Sequence, residues 1–261
     1  MKILTYNILH GGEDENKSRI PMILNIIKSI SPNVAAIQEA NKFDKNDYAK
    51  LKQFKINFPY SAYSEGLISK SGRRYDVVTI SSIPLKKASD FDTSTRNGNL
   101  NISIDSEFGK ISICNTHLSP KTEDERLIEL SKIIESQSKY EHKIILGDLN
   151  SLSRLDKYEQ KVFDSFNDKQ KRKFLKKGTP QYDVTDLLTN LEYVDVTAFL
   201  NQIGNTVPTN SNVDVAHECA LRLDYIFVSK SLINKVSNIE IIKNSLTEQA
   251  SDHYPLVLHL K

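Results

Sequence analysis

Cysteine is scarce in this 261-residue chain: only Cys114 and Cys219 occur, far apart and in no metal-type spacing. Such a pair is expected to be reduced and to pack as small apolar residues, as in a cytosolic protein. Long apolar runs are also missing. No stretch reaches the roughly 18 apolar residues that a membrane helix needs, so no span is expected. The opening "MKILTYNILHGG" has too short an apolar run for a secretory signal and no small-residue cleavage site. A strong charge of one sign is lacking too. The formal net charge of +2 and pI near 8.3 are compatible with an anionic partner without demanding one. Repeats, low-complexity tracts and Gly/Ser-rich linkers are absent, which points to a single domain over 1–261. What is present is an ordinary globular composition: 39% hydrophobic residues are enough for a sizeable core.

Short β-branched runs alternate with helical patterns. "KILTYN" and "NVAAIQE" flank "SRIPMILNIIKSI", in which Ile20, Ile23, Leu24 and Ile27 share one helical face, Ser18 can cap and Pro21 sits in the first turn. "YDVVTISS" and "NLNISID" read as strands, with Asn97-Gly98 as a turn signal before the second. After "KISICNTHL", Thr122 and Glu125 form a capping box for a helix whose buried stripe is expected at Leu127, Leu130 and Ile134. "HKIILGDLN", "RLDYIFVS" and "PLVLHL" complete the strands.

The ends of these strands carry polar chemistry. "ILTY" stops at Asn7, "VAAIQ" at Glu39, "ISICNT" at His117, and "IILG" at Asp148 with Asn150 two residues on. Asp224 opens "YIFV", and Asp252 with His253 precede the last run. Each has a local explanation: Asp148-Leu149-Asn150 as turn chemistry, His117 as a hydrogen-bonded structural histidine, Glu39 as a solvated acid. Their recurrence at strand ends predicts convergence on one edge of a sheet system. The residue types also fit one another, since acids and amides bind a hard cation and orient water while histidines handle phosphate charge and protons.

In order along the chain, "TYNILHG", "IQEA", "NTHL", "GDLN", "RLDYIFVS" and "SDHYPL" resemble the motifs of the endonuclease/exonuclease/phosphatase superfamily, which contains type I deoxyribonucleases and exonuclease III-like abasic-site endonucleases. The resemblance runs from residue 3 to 258. It implies an α/β fold, a four-layer α/β/β/α sandwich of two mostly antiparallel sheets flanked by helices, with the site on one edge. It also implies that Glu39 is the principal carboxylate for Mg²⁺ or Mn²⁺, with Asn7 close by and Asp252 supporting the metal shell. Asp148 would orient or deprotonate the attacking water, and Asn150 would hold that water or a phosphate oxygen. His253 would contact the scissile phosphate or act as base, with Asp224 on its other nitrogen. His117 would stabilise the phosphorane-like charge or the leaving oxygen. Which of Asp148 and His253 takes the proton stays open at this point.

The chain departs from the abasic-site pattern at three places. Leu9 stands where many such enzymes have an acid, His117 stands where they have a tyrosine, and tryptophan, a wedge for an extruded sugar, is absent. The implied activity is a phosphodiesterase, a nuclease or DNA-repair enzyme first, with lipid headgroups, inositol phosphates or tyrosyl-DNA-type adducts as the alternative substrates. No obligate protein partner is evident. DNA is the favoured partner. "DKQKRKFLKKG" places Lys171, Arg172 and Lys173 among six basic residues between Lys169 and Lys177. They form either a solvated helix face or a contact to a phosphate backbone with salt-dependent binding. Arg96, with Arg73 and Arg74, falls near loops that can face substrate. His10 with Gly11 and Gly12 forms either a plain turn or a close backbone approach to a ligand.

Overall fold

The computed structural model describes residues 1–14, 17–68, 74–90 and 95–261. Two six-stranded sheets dominate it. Their strands are β1 (Lys2–Asn7), β2 (Val34–Gln38), β3 (Tyr60–Ser64), β4 (Val77–Ser81), β5 (Leu85–Asp90) and β6 (Asn99–Ser106). They continue with β7 (Gly109–His117), β8 (His142–Asp148), β9 (Tyr193–Asp195), β10 (Asp224–Ser229), β11 (Val236–Ile241) and β12 (Leu256–Leu260). The first sheet has the order β11-β12-β1-β2-β4-β3 and the second β9-β10-β8-β7-β6-β5. Only β1–β2 and β7–β8 pair in parallel, so both sheets are mostly antiparallel.

Strand side chains alternate between faces, and here both faces are apolar. Ile3, Val34, Ala36, Ile113, Ile144, Leu146, Ile226 and Val228 form the core between the sheets. On the outer face of the first sheet, Leu4, Tyr6, Ala35 and Ile37 pack against Ile20, Ile23, Ile26 and Ile27 of α1 (Ile20–Ile30) and Leu51 and Phe54 of α2 (Lys45–Lys55). On the outer face of the second, Cys114, Ile145, Tyr225 and Phe227 pack against Leu130 and Ile133 of α3 (Glu123–Ser136) and Val184 and Leu188 of α5 (Asp183–Asn190). The result is the expected four-layer sandwich. No helix among the described residues is long and apolar enough to cross a membrane.

Two details correct the helix reading. In α1, Ile26 is buried and Leu24 only half-buried. In α3 the buried stripe runs through Leu130 and Ile133 and continues with Glu123, Arg126 and Glu129, while Leu127 and Ile134 are half-buried. Arg126 explains this: its guanidinium pairs with Glu123 at 2.9 Å and donates to the carbonyls of Ser119 and Lys173. A buried charge with all these partners is tolerated where an isolated one is not. Thr122 caps α3 by accepting from Glu125 N, but the Glu125 carboxylate accepts from Ser119 Oγ rather than closing the box.

Near the chemistry the sheets are tied by polar groups. Gln38 Nε2 donates to Asn115 Oδ1 at 2.7 Å, and Asn115 Nδ2 donates to Val78 O at 3.0 Å. Beside this tie, Gly147 has a φ of +134°, and a Cβ there would sit 1.9 Å from the Thr116 carbonyl oxygen. Only glycine allows this approach. It sets β8 against β7 one residue before Asp148.

Candidate active site

Strand register assembles the site. Asp148 is paired with His117 on one side and with Asp224 on the other, so three polar residues form a row at one end of the second sheet. In the first sheet Asn7 pairs with Gln38, which puts Glu39 just beyond it. Asp252 and His253 enter the same edge before β12, where Ser251 Oγ donates to Asn7 O at 2.6 Å. Two of these residues sit in the left-handed region, Glu39 at φ 54° and Asn150 at φ 51°. Asn tolerates that region; for Glu it is strained, as is common where a site over-determines its backbone. The strain at Glu39 is held by the turn after β1. Leu9, His10, Gly11 and Gly12 all have positive φ, and this turn aims His10 N at Glu39 Oε2 (2.8 Å) and Gly11 N at Glu39 O (2.7 Å). The His10-Gly11-Gly12 turn therefore serves the acid.

Asp148 is the hub. Its Oδ2 accepts from Asn7 Nδ2 at 3.2 Å and lies 3.4 Å from His117 Nε2 and 3.8 Å from His253 Nε2. Its Oδ1 accepts from Asn150 N at 2.9 Å, while Asn150 Nδ2 donates to Leu118 O. Burial works to raise the Asp148 carboxyl, but the His253 and His117 rings outweigh it and hold the group below its ordinary value. His253 Nδ1 lies 2.7 Å from Asp224 Oδ2, which leaves Nε2 towards Asp148. Burial disfavours the imidazolium, yet Asp224 and Asp252 reverse that and raise His253 to about 10. Burial keeps His117 low despite Asp148 and Glu39, and its Nδ1 is buried with no partner among the described residues.

Glu39 is different. Burial raises its carboxyl, His117 draws it down, and the negative charge of Asp252 pushes it up again. No lysine or arginine among the described residues is hydrogen-bonded to Glu39 or Asp252. Two buried carboxylates that repel each other, with no lysine or arginine and with Asp252 met only by histidine, suit a hard, oxygen-seeking cation such as Mg²⁺ or Mn²⁺. Asn7 presents Nδ2 to Glu39 Oε1 (3.4 Å) and to Asp148, while its Oδ1 accepts from Leu9 N. In this orientation it clips the two acids together.

Glu39, His117, Asp148, Asn150 and Asp252 line a cavity of about 450 Å³ that also takes in His10, Tyr75, Arg96, Asn97, Lys173 and His217, with His253 buried beside Asp148. Arg96 thus reaches the site. Arg74 is engaged by Asp44, Glu65 and Asp76 at 2.7–2.9 Å, and Arg73 lies outside the described residues. The basic segment divides. Lys173 turns inward from α4 (Asp168–Phe174) and is buried. Lys171 and Arg172 line a separate cleft with Gln160, Phe163 and Lys177.

His217 is the residue the sequence did not disclose. It offers a ligand atom within 4.8 Å of those of Asp252 and His253, and its ring meets that of His253 edge-on at 5.0 Å. It comes from a one-turn 3₁₀ segment (Val215–His217), away from any strand end, so the pattern of polar strand ends could not reveal it. The buried Lys173 and a His253 whose cationic form is favoured add positive charge beside Asp252 and Asp148.

Residues 4–253 match the Endonuclease/Exonuclease/phosphatase family. The chain belongs to this family. Its members hydrolyse phosphoester bonds and generally depend on a divalent metal. Among solved structures, an endonuclease/exonuclease/phosphatase family protein from Leptotrichia buccalis has a TM-score of 0.69 at 20% identity, covering 100% of this chain and 99% of that one. An AP endonuclease from Archaeoglobus fulgidus gives 0.69 at 17%, again covering 100% and 99%. The 3′-5′ exonuclease NExo from Neisseria meningitidis gives 0.67 at 14%, with both chains covered fully. Such identities carry the fold and not the substrate. No curated protein matches the chain.

Proposed function

We propose that this protein is a divalent-metal-dependent phosphodiesterase acting on nucleic acid, with DNA as the favoured substrate. The observation that carries the reading is the meeting of buried carboxylates, Glu39 and Asp252, with a buried histidine, His253, whose cationic form is favoured and which lies 3.8 Å from Asp148 at the same cavity. The names of the structural neighbours, an AP endonuclease and a 3′-5′ exonuclease, support nucleic acid over other phosphoesters.

Glu39 would hold the metal, supported by Asp252 and by Asn7 through its amide. The bound ion supplies Lewis-acid polarisation of a phosphoryl oxygen. Asp148, ionised and fixed by Asn7 and Asn150, orients the attacking water and receives its proton. His253 enters as a cation, because the charges of Asp224 and Asp252 outweigh burial and favour its protonated form, which leaves Asp148 as the proton acceptor. Its Nε2–H donates to a phosphoryl oxygen while Asp224 holds the ring. His117, kept neutral by burial, lies against Asp148 on the opposite side from Asp224.

Incubation with Mg²⁺ and a panel of labelled plasmid, abasic duplex, single-stranded oligonucleotide and phosphoinositide tests the reading. Cleavage of at least one DNA substrate well above that of the lipids is expected. Turnover of phosphoinositides alone would overturn the nucleic-acid assignment and keep the family chemistry.

A further inference from the structure

Lys173 occupies a place that a solvated basic run does not explain. It is 4% exposed, and it lines the cavity with Asp148, Asn150, His217 and Asp252. Its only close polar contact among the described residues is His217 Nε2, at 3.5 Å. No carboxylate among them comes within ion-pairing distance. The ammonium also lies over the Phe174 ring, 5.0 Å from its centroid, a cation–π contact that offsets part of the charge but supplies no anion. A buried ammonium without an anion is costly to fold and persists where something else completes it.

His217 shows how the charge is aimed. Its Nδ1 lies 3.3 Å from Asp252 Oδ2, so the ring donates there and keeps the Nε2 lone pair for Lys173. One ammonium N–H is thus taken up by His217, and the other two are left for a ligand. With a metal held by Glu39, a phosphoryl group bound here would have three partners for its oxygens: that ion, the His253 imidazolium and the Lys173 ammonium. An internal phosphodiester has two non-bridging oxygens and a phosphomonoester has three.

We propose that Lys173, positioned by His217, is a third phosphoryl-oxygen site that makes this cleft prefer phosphomonoesters, such as a strand's terminal phosphate, over internal diesters. The reaction balances simply. The water oxygen bonds to phosphorus as Asp148 takes its proton, and the bond to the ester oxygen breaks. That oxygen leaves as a hydroxyl with a proton from solvent, and Asp148 then gives up its own to solvent in exchange. The proposal rests on the hydrolase reading above for its kinetics but not for its binding.

The test uses the full chain, with thermal melting to show that each variant is folded. Binding of inorganic phosphate to metal-free protein is measured by calorimetry. With Mg²⁺, kcat/KM is measured on a nucleoside 3′-phosphate, a 3′-phosphorylated oligonucleotide and an unphosphorylated oligonucleotide of the same sequence. Lys173→Met, with Lys173→Gln as a second variant, should weaken phosphate binding and lower the monoester-to-diester ratio by at least about tenfold, the scale of one charged hydrogen bond. His217→Leu should lower the same ratio, and His217→Gln, which keeps an acceptor for Lys173, should restore most of it. A preference shown by both monoesters or by the oligonucleotide alone supports the proposal. Equal losses on monoester and diester, or unaltered phosphate affinity in folded Lys173→Met, would overturn it. Phosphate binding that depends on Lys173, in a protein that cleaves no ester with any metal, would remove the hydrolase reading and leave this site standing.

Discussion

Glu39→Gln is expected to lower kcat/KM on the best substrate by roughly a thousandfold or more, the scale set by losing several kcal/mol of metal-borne charge stabilisation. Glutamine keeps the shape and can still accept from His10 N, which now bonds Glu39 Oε2 at 2.8 Å. What it removes is the charge opposite Asp252. The same variant should melt no lower than the wild type without metal. Burial raises the Glu39 carboxyl in the folded protein, with Asp252 adding to the rise against His117. An acid raised on folding is harder to ionise in the native state, so its ionisation works against folding as pH rises past the unfolded value. Removing it at neutral pH removes that burden. A Glu39→Gln protein that is fully active, or that loses activity only by unfolding, would contradict the assignment of Glu39 as metal anchor.

His253 and Asp224 should behave as one unit. The 2.7 Å contact and the charge of Asp224 are what hold a buried imidazole protonated, at about 10. In Asp224→Asn the histidine should fall towards its free value, about 6.5. If His253 works as a cation on phosphate, the variant's rate should drop as pH rises through that new value, while the wild type stays level over the same range. A variant whose activity instead extends to lower pH would make His253 the base. The stability of metal-free protein has a matching sign. A histidine raised on folding stabilises fully below its unfolded value near 6.5, and that contribution is lost as pH climbs towards 10. Because both residues serve one function, their losses should not multiply. The His253→Ala, Asp224→Ala double variant should be little slower than His253→Ala alone. Losses that multiply fully in folded proteins would mean that Asp224 has another task.

Much of this was legible because β-sheet geometry converts sequence position into spatial position. A residue at a strand end stays at a sheet edge, so Asn7, Glu39, His117, Asp148, Asp224 and His253 could be expected together; the register aligns Asp148 with His117 and Asp224, and side-chain contacts bring in Asn7, Glu39 and His253. The parts that could not be read share one physical cause. Hydrophobic periodicity sends charged residues outward, yet Glu123, Arg126 and Glu129 face inward from α3. There Arg126 holds the Lys173 carbonyl and Glu129 accepts from Ser119 N at 2.7 Å. Lys173 was read with Lys171 and Arg172 as part of one basic run, but helical rotation turns adjacent residues to different faces. His217 lies in a loop whose path depends on tertiary contacts, and nothing in its spacing fixes it beside Asp252.

Stripping the protein with EDTA and assaying its best substrate before and after adding back Mg²⁺ or Mn²⁺ tests the central claim most directly. The account predicts that activity disappears on stripping and returns in full with either ion. Stripped protein that cleaves at the full rate would contradict it.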